Sequence, residues 1–232
     1  MIASDLNVKL HPPISQLQQF VAGELSPGLS VAMSAHIECC QECQHASTTL
    51  EAQVIEAWSE MPANDENFAF STALDSIVDQ AQVKVSKVPG KVAQSIEVDN
   101  HNVSIPRVLA KVAAEGLSWK RLGGGISQAT VAIDDRTKCE FIYMAPGSKA
   151  PVHTHRGNEV TLVLDGSFSD ELGEYNAADF VVRNPNHKHQ PRTENGCLCF
   201  SVLDSPLVFT SGFLRLLNPL NRLMFHKTQW FR

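Results

Sequence analysis

His36, Cys40 and Cys43 have the residue types and spacing of a metal-binding fragment, His-x3-Cys-x2-Cys. On a continuous helix, which advances about 100° per residue, the three side chains fall within about 60° of one another and share a face. An imidazole and two thiolates suit tetrahedral Zn2+, which then lacks one ligand. His11, immediately before Pro12-Pro13, is the best candidate, because the chain there can fold back toward the helix. His45 is a rival, but it lies about 200° around the helix from Cys43 and would face away. Cys39 is one residue out of phase and reads as a bystander.

A second constellation lies more than a hundred residues on. His153 and His155 point to the same face of an extended chain, and the even spacing to Glu159 returns a carboxylate to that side after a turn. A fourth ligand should come from a later strand, where His187 and His189 are both available. Imidazoles plus a carboxylate can hold Zn2+, Fe2+, Mn2+ or Ni2+, and ligand softness does not choose among them.

The first set needs helices to position it. Ile14, Leu17, Phe20 and Val21 recur at helical spacing, with Gly23 as a stop. Ser26-Pro27 has the chemistry of a cap and first-turn proline, opening a second helix that runs into His36. Ser47 to Trp58 continues as helix, Pro62 to Asp65 breaks it, and residues 65–83 read as a further amphipathic helix. So small a helical core benefits from a metal staple. Residues 85–104 are polar, contain the turn dipeptide Pro89-Gly90, and read as a linker. The expected division is a helical domain over 1–84, a linker over 85–104, and a β domain over 105–232.

The second set needs strands. From Trp119 the period becomes two, with strands expected at 130–133, 139–144 and 160–164. Asp165-Gly166 reads as a hairpin turn and Gly196 as another. Gly123-Gly124-Gly125, with no Lys-Ser/Thr following, reads as a strand-joining turn rather than a phosphate loop. Many short strands with frequent turns indicate a small barrel or sandwich. Cys139, Cys197 and Cys199 read as buried small hydrophobes. The apolar and basic tail from Phe213 to Arg232 reads as packing onto the barrel rather than as a membrane surface.

The 232 residues are 43% hydrophobic and 19% charged, an ordinary globular composition. No apolar run approaches the ~20 residues that cross a bilayer, and Met1 to Asp5 lacks the flank of a secretory signal, so no membrane role and a cytoplasmic location are expected. Six cysteines in that compartment favour metal binding or burial over disulfides. The net charge of −6 is unevenly spread: residues 1–85 hold eleven acids against two bases. That half is a poor nucleic-acid binder and suits a basic protein partner.

The segment from His11 to Cys43, with Ala22-Gly23-Glu24-Leu25-Ser26 and then His36-x3-Cys40-x2-Cys43, resembles the zinc-binding domain of ChrR-type anti-sigma factors. Gly147-x5-His153-x-His155-x3-Glu159-x6-Gly166 fits the first cupin motif at every position. The second motif survives weakly: Ala178, Asn184 and Asn186 replace glycine, proline and glycine, while His189 lands on the ligand position. ChrR-type proteins carry both halves in this order. The resemblance implies an α+β chain, a small all-α bundle followed by an all-β cupin (jelly-roll) barrel. It implies structural Zn2+ on His11, His36, Cys40 and Cys43, and a second divalent metal, expected to be Zn2+, on His153, His155, Glu159 and His189. It further implies a transcriptional regulator without catalytic activity. The helical domain would sequester a group IV (extracytoplasmic function) sigma factor and release it under oxidative stress such as singlet oxygen. The alternatives are a metal-dependent cupin enzyme, a dioxygenase or isomerase, and a storage or sugar-binding module. The last leaves the zinc motif unexplained.

Overall fold

The computed structural model describes residues 8–59, 94–210 and Asn218. Three helices come first: α1 Ile14–Val21, α2 Pro27–Cys39 and α3 Gln41–Ser59. Gly23, at φ 73°, ends α1 in the left-handed conformation that glycine adopts without penalty, and the Glu24 N–H closes back on the Gln19 carbonyl at 2.8 Å. Ser26 caps α2, its hydroxyl accepting from the Leu29 N–H, with Pro27 at the first helical position. The expected helix over 65–83 and the tail from 213 to 232, Asn218 apart, lie outside the described residues.

The span expected as linker contains regular structure. β1 Ser95–Val98 and β2 His101–Ser104 form an antiparallel hairpin turned at Asp99 and Asn100, both at positive φ. Ile96, Val98 and Val103 are buried in the main core. The polar composition masked this, because only alternate residues face inward. Residues 85–93 lie outside the described set. A short helix, α4 Arg107–Ala113, follows and packs on α2.

The barrel comprises β3 Lys120–Gly123, β4 Ile126–Val131, β5 Lys138–Met144, β6 His153–His155, β7 Glu159–Asp170, β8 Gly173–Asn176, β9 Phe180–Arg183, β10 Cys197–Leu203 and β11 Leu207–Phe209. The larger sheet runs β3-β4-β5-β10-β7-β8, with β9 also on β7, while β6 pairs with β11. Gly123 to Gly125 join β3 to β4, as a turn should.

Asp165-Gly166 is not a hairpin turn. Both residues lie inside the long strand β7, where Gly166 has φ 70° and the register with β10 slips between Leu198 and Cys199. A Cβ at Gly166 would lie 2.1 Å from the Gly196 carbonyl oxygen. The glycine therefore serves a β-bulge and a close backbone approach, chemistry that a turn dipeptide shares.

Every residue of β10 is buried, because both of its faces are covered. Leu198, Phe200 and Val202 join a core that also holds Leu17, Ala32, Met33 and Ala35 of the helices. Cys197 and Cys199 face the barrel interior with Met144, Val163, Phe168, Tyr175 and Val181. Helices and sheet thus share one hydrophobic core. α2 reaches the sheet through small residues: a Cβ at Gly28 would lie 2.4 Å from Thr137 Oγ1 and 2.6 Å from Cys139 Sγ. Asp134, in the loop after β4, receives the Gly28 N–H on Oδ2 at 2.8 Å and so caps α2 from the barrel side.

Candidate metal centres

The first cluster forms where α2 breaks into α3. A single helix through His36, Cys40 and Cys43, expected from spacing, is not what the chain adopts: Cys40 is extended, at φ −119° and ψ 108°. Its N–H still closes on the His36 carbonyl, while its own carbonyl accepts from Gln44 N–H and begins α3. Cys40 Sγ takes the Cys43 N–H at 3.5 Å, the arrangement of an N-cap. Both thiols therefore sit at a helix N-terminus, where the exposed N–H groups favour negative charge on sulfur.

The ligand atoms converge. His36 Nε2 lies 3.2 Å from Cys43 Sγ, and His11 Nδ1 lies 3.4 Å from both Cys40 Sγ and Cys43 Sγ. All four ligand atoms fall within 4.8 Å of one another. Tetrahedral Zn2+ with bonds of about 2.0–2.3 Å has ligand–ligand edges of about 3.3–3.8 Å, so the donor set and spacing fit that ion. Each imidazole also has an outer partner that fixes its free nitrogen, His36 Nδ1 on the Ala178 carbonyl at 2.9 Å and His11 Nε2 beside Glu42 at 3.4 Å. Burial pushes His36 down to about 4 against the pull of the Ala178 carbonyl, which keeps the imidazole neutral, as a ligand must be. Burial, with Cys40 alongside, pushes the Cys43 thiol up to about 12, so its thiolate calls for a cation at the centre. His45 is exposed and lies outside this cluster, and Cys39 is half-buried and likewise outside it.

The second cluster is built by β6, the start of β7 and the loop before β10. His153 and His155 share a face of β6, Glu159 opens β7 after a turn at Gly157, and His189 pairs backbone to backbone with His153 at 3.0 and 3.1 Å. His155 Nε2 lies 2.9 Å from Glu159 Oε2 and 3.3 Å from His189 Nε2. Of the two late histidines, His189 is the one brought in; His187 accepts the Asn184 N–H instead. Burial raises the Glu159 carboxyl, but His155 and the neighbouring imidazoles outweigh it and hold the group down at about 2. Burial and His189 press His153 down to about 4. Three imidazoles around a carboxylate are the donor set of a divalent cation with further coordination positions open.

Spacing did not reveal the residues that orient these ligands. His153 Nδ1 contacts the Pro151 carbonyl at 2.7 Å, Ser201 Oγ donates to Glu159 Oε1 at 3.0 Å, and His189 Nδ1 meets Asp170 Oδ2 at 3.1 Å. Asp170 is itself held by the Tyr175 hydroxyl and by Arg183 Nη2. Asp170 lies eleven positions after Glu159, an odd step that by strict alternation places them on opposite faces. The bulge at Gly166 adds the missing step and turns Phe168 and Asp170 inward. A glycine inside a strand was the one available signal. Ala178, standing where the motif has glycine, keeps the left-handed turn at φ 71°.

With this geometry in place, residues 109–205 match the profile of the ChrR cupin-like domain family. The second half thus resembles the ChrR cupin-like domain. Over 230 residues the chain is 27% identical to the anti-sigma-E factor ChrR of Cereibacter sphaeroides, covering 94% of this chain and 100% of that protein. A chain in the crystal structure of Rhodobacter sphaeroides SigE in complex with the anti-sigma ChrR has the same fold. It superposes with a TM-score of 0.67 at 24% identity, covering 85% of this chain and all of that one. The resemblance to ChrR-type proteins thus extends across both halves. Among the described residues no helix is long and apolar enough to cross a membrane.

Proposed function

We propose that this chain is a cytoplasmic anti-sigma factor, a regulator and not an enzyme. Its helical domain (1–84) binds and sequesters a group IV sigma factor, and its cupin domain (105–232) relays the signal that releases it. The observation that carries this reading is the pairing in one chain of a His2Cys2 cluster at the α2–α3 junction with a match to the ChrR cupin-like domain. Similarity to ChrR over 94% of the chain supports it.

In this reading His11, His36, Cys40 and Cys43 hold structural Zn2+. Zinc there supplies folding energy to a small helical core and fixes the angle between α2 and α3. The acidic surface of the helices steers a basic partner. His153, His155, Glu159 and His189 hold a second divalent ion, again taken to be Zn2+, whose open positions admit a small ligand. Release requires a second state that binds sigma less well, produced by oxidative stress of the singlet-oxygen type.

The test is co-expression with group IV sigma factors of the same genome, followed by purification and metal analysis. A one-to-one zinc-containing complex is expected, lost in Cys40→Ala and Cys43→Ala and retained in His153→Ala. Failure to capture any such sigma factor refutes the proposal.

A further inference from the structure

The run from β8 to β9, which lies antiparallel along β7 and is interrupted by a turn at residues 177–178, reaches both candidate metal clusters. At its turn the Ala178 carbonyl accepts from His36 Nδ1 at 2.9 Å, and the Phe180 ring meets the His36 ring edge-on at 5.4 Å. Asp179 Oδ1 accepts the Lys9 and Leu10 N–H groups at 2.7 and 3.0 Å, and Phe180 N–H donates to the Leu10 carbonyl at 2.9 Å. His11 follows directly in the chain. Two of the four N-terminal ligands, His11 and His36, therefore take their positions from residues 178–180.

The strands on either side of that turn serve the barrel. Tyr175, on β8, donates to Asp170 Oδ1, and Arg183, on β9, donates to Asp170 Oδ2, which in turn holds His189. The turn between them is pinned. Ala178 N–H donates to the Val163 carbonyl at 2.8 Å, Val163 N–H to the Asp179 carbonyl at 3.1 Å, and Asn176 N–H to Asp179 Oδ2 at 2.8 Å. Ala178 sits at φ 71°, a conformation that a non-glycine residue keeps only where its surroundings impose it. From Ala178 to Arg183 the strand spans roughly 16 Å, so one stiff element reaches both centres.

We propose that this β8–turn–β9 segment couples the two metal centres. Filling the barrel site tightens the hold of the His11–His36–Cys40–Cys43 site, and emptying it loosens that hold; the inference rests on both clusters binding metal, as proposed above. A metal on His189 fixes the ring that Asp170 faces, and with it the carboxylate on which Tyr175 and Arg183 rest. Without it the strands flanking the turn relax, and the Ala178 carbonyl no longer orients His36. Loss of such an outer partner lowers metal affinity by about 10–100-fold, and coupling between distant sites spans about 5–150-fold.

The full chain loaded with Co2+ tests this directly. Thiolate-to-cobalt charge-transfer absorption reports the Cys40/Cys43 site alone, because the barrel cluster contains no sulfur. Under excess chelator, decay of that band should be about fivefold or more faster in His153→Ala than in the unmutated chain. The same contrast should appear in the unmutated chain loaded with one and with two equivalents, which guards against misfolding of the variant. Asp179→Ala, which frees residues 9 and 10 from the turn, should lose cobalt quickly whether or not the barrel is filled. Equal decay with the barrel filled and emptied refutes the coupling while leaving metal binding intact. Continued dependence on the barrel in Asp179→Ala refutes the β8–β9 segment as its route. Absence of the charge-transfer band refutes the metal reading itself.

Discussion

Gly28→Ala sets two known effects of opposite sign against each other. In an isolated helix the change stabilises, by up to about 1 kcal/mol, because alanine loses less backbone entropy. In this fold the new Cβ would lie 2.4 Å from Thr137 Oγ1 and 2.6 Å from Cys139 Sγ. Neither can yield easily: Thr137 Oγ1 donates to Asp134 Oδ2 at 2.8 Å, and Cys139 is fully buried. Overpacking of this kind costs about 1–3 kcal/mol. If α2 retreats instead, the Gly28 N–H loses its bond to the Asp134 carboxylate, worth about 1.5–3 kcal/mol. The clash outweighs the propensity gain, leaving a net loss of about 1–2 kcal/mol. Urea unfolding followed by circular dichroism should show a lower midpoint with little change in slope. A midpoint unchanged or raised would mean that propensity acts alone, and would refute the docking of α2 on the barrel.

Three further outcomes follow from the same contacts. Phe200 is fully buried in the core shared by helices and sheet, 5.2 Å from the Phe141 ring, so Phe200→Ala should lose about 3–5 kcal/mol. Helical and sheet signals should still melt together, and separate transitions would contradict a shared core. Tyr175→Phe removes one of the groups holding Asp170, and should weaken metal binding in the barrel by about 10–100-fold in competition with a chelator while barely moving the thermal midpoint. Burial works against ionisation of Asp134, but bonds from Thr137, Gly28 and Arg136 outweigh it and hold its carboxyl below the ordinary range. A depressed folded pKa contributes stability that is complete above the unfolded value of about 3.9 and fades as pH falls through the folded one. Asp134→Asn should therefore be less stable than the parent at pH 7, and the gap should close below about pH 4. A gap that persists at pH 2 would show that charge is not what Asp134 contributes.

Residue type and spacing alone singled out the members of the two candidate clusters, because metal-binding residue types at short spacings have few other uses. His36, Cys40, Cys43, His153, His155 and Glu159 were legible as chemistry before any fold was known. Helix starts and stops were legible too, since Ser26-Pro27 and Gly23 act locally. Spacing also named residues that do converge, but for a local reason that fails in one case: Cys40 breaks the helix that was expected to align the three residues. Cooperative, non-local features escaped. The hairpin at 95–104 has a polar composition and is recognisable only by what it packs against. Gly166 carries the same signal for a turn and for a bulge, and only pairing with β10 decides between them. That decision turns Asp170 from the outer face to the inner one, and so supplies the residue that orients His189. The meeting of His36 with the Ala178 carbonyl joins positions 142 apart, set by the docking of α2 on the sheet. Sequence named the candidate ligands because they are local in type and spacing; the fold alone chose their outer partners, because those arise from packing between distant segments.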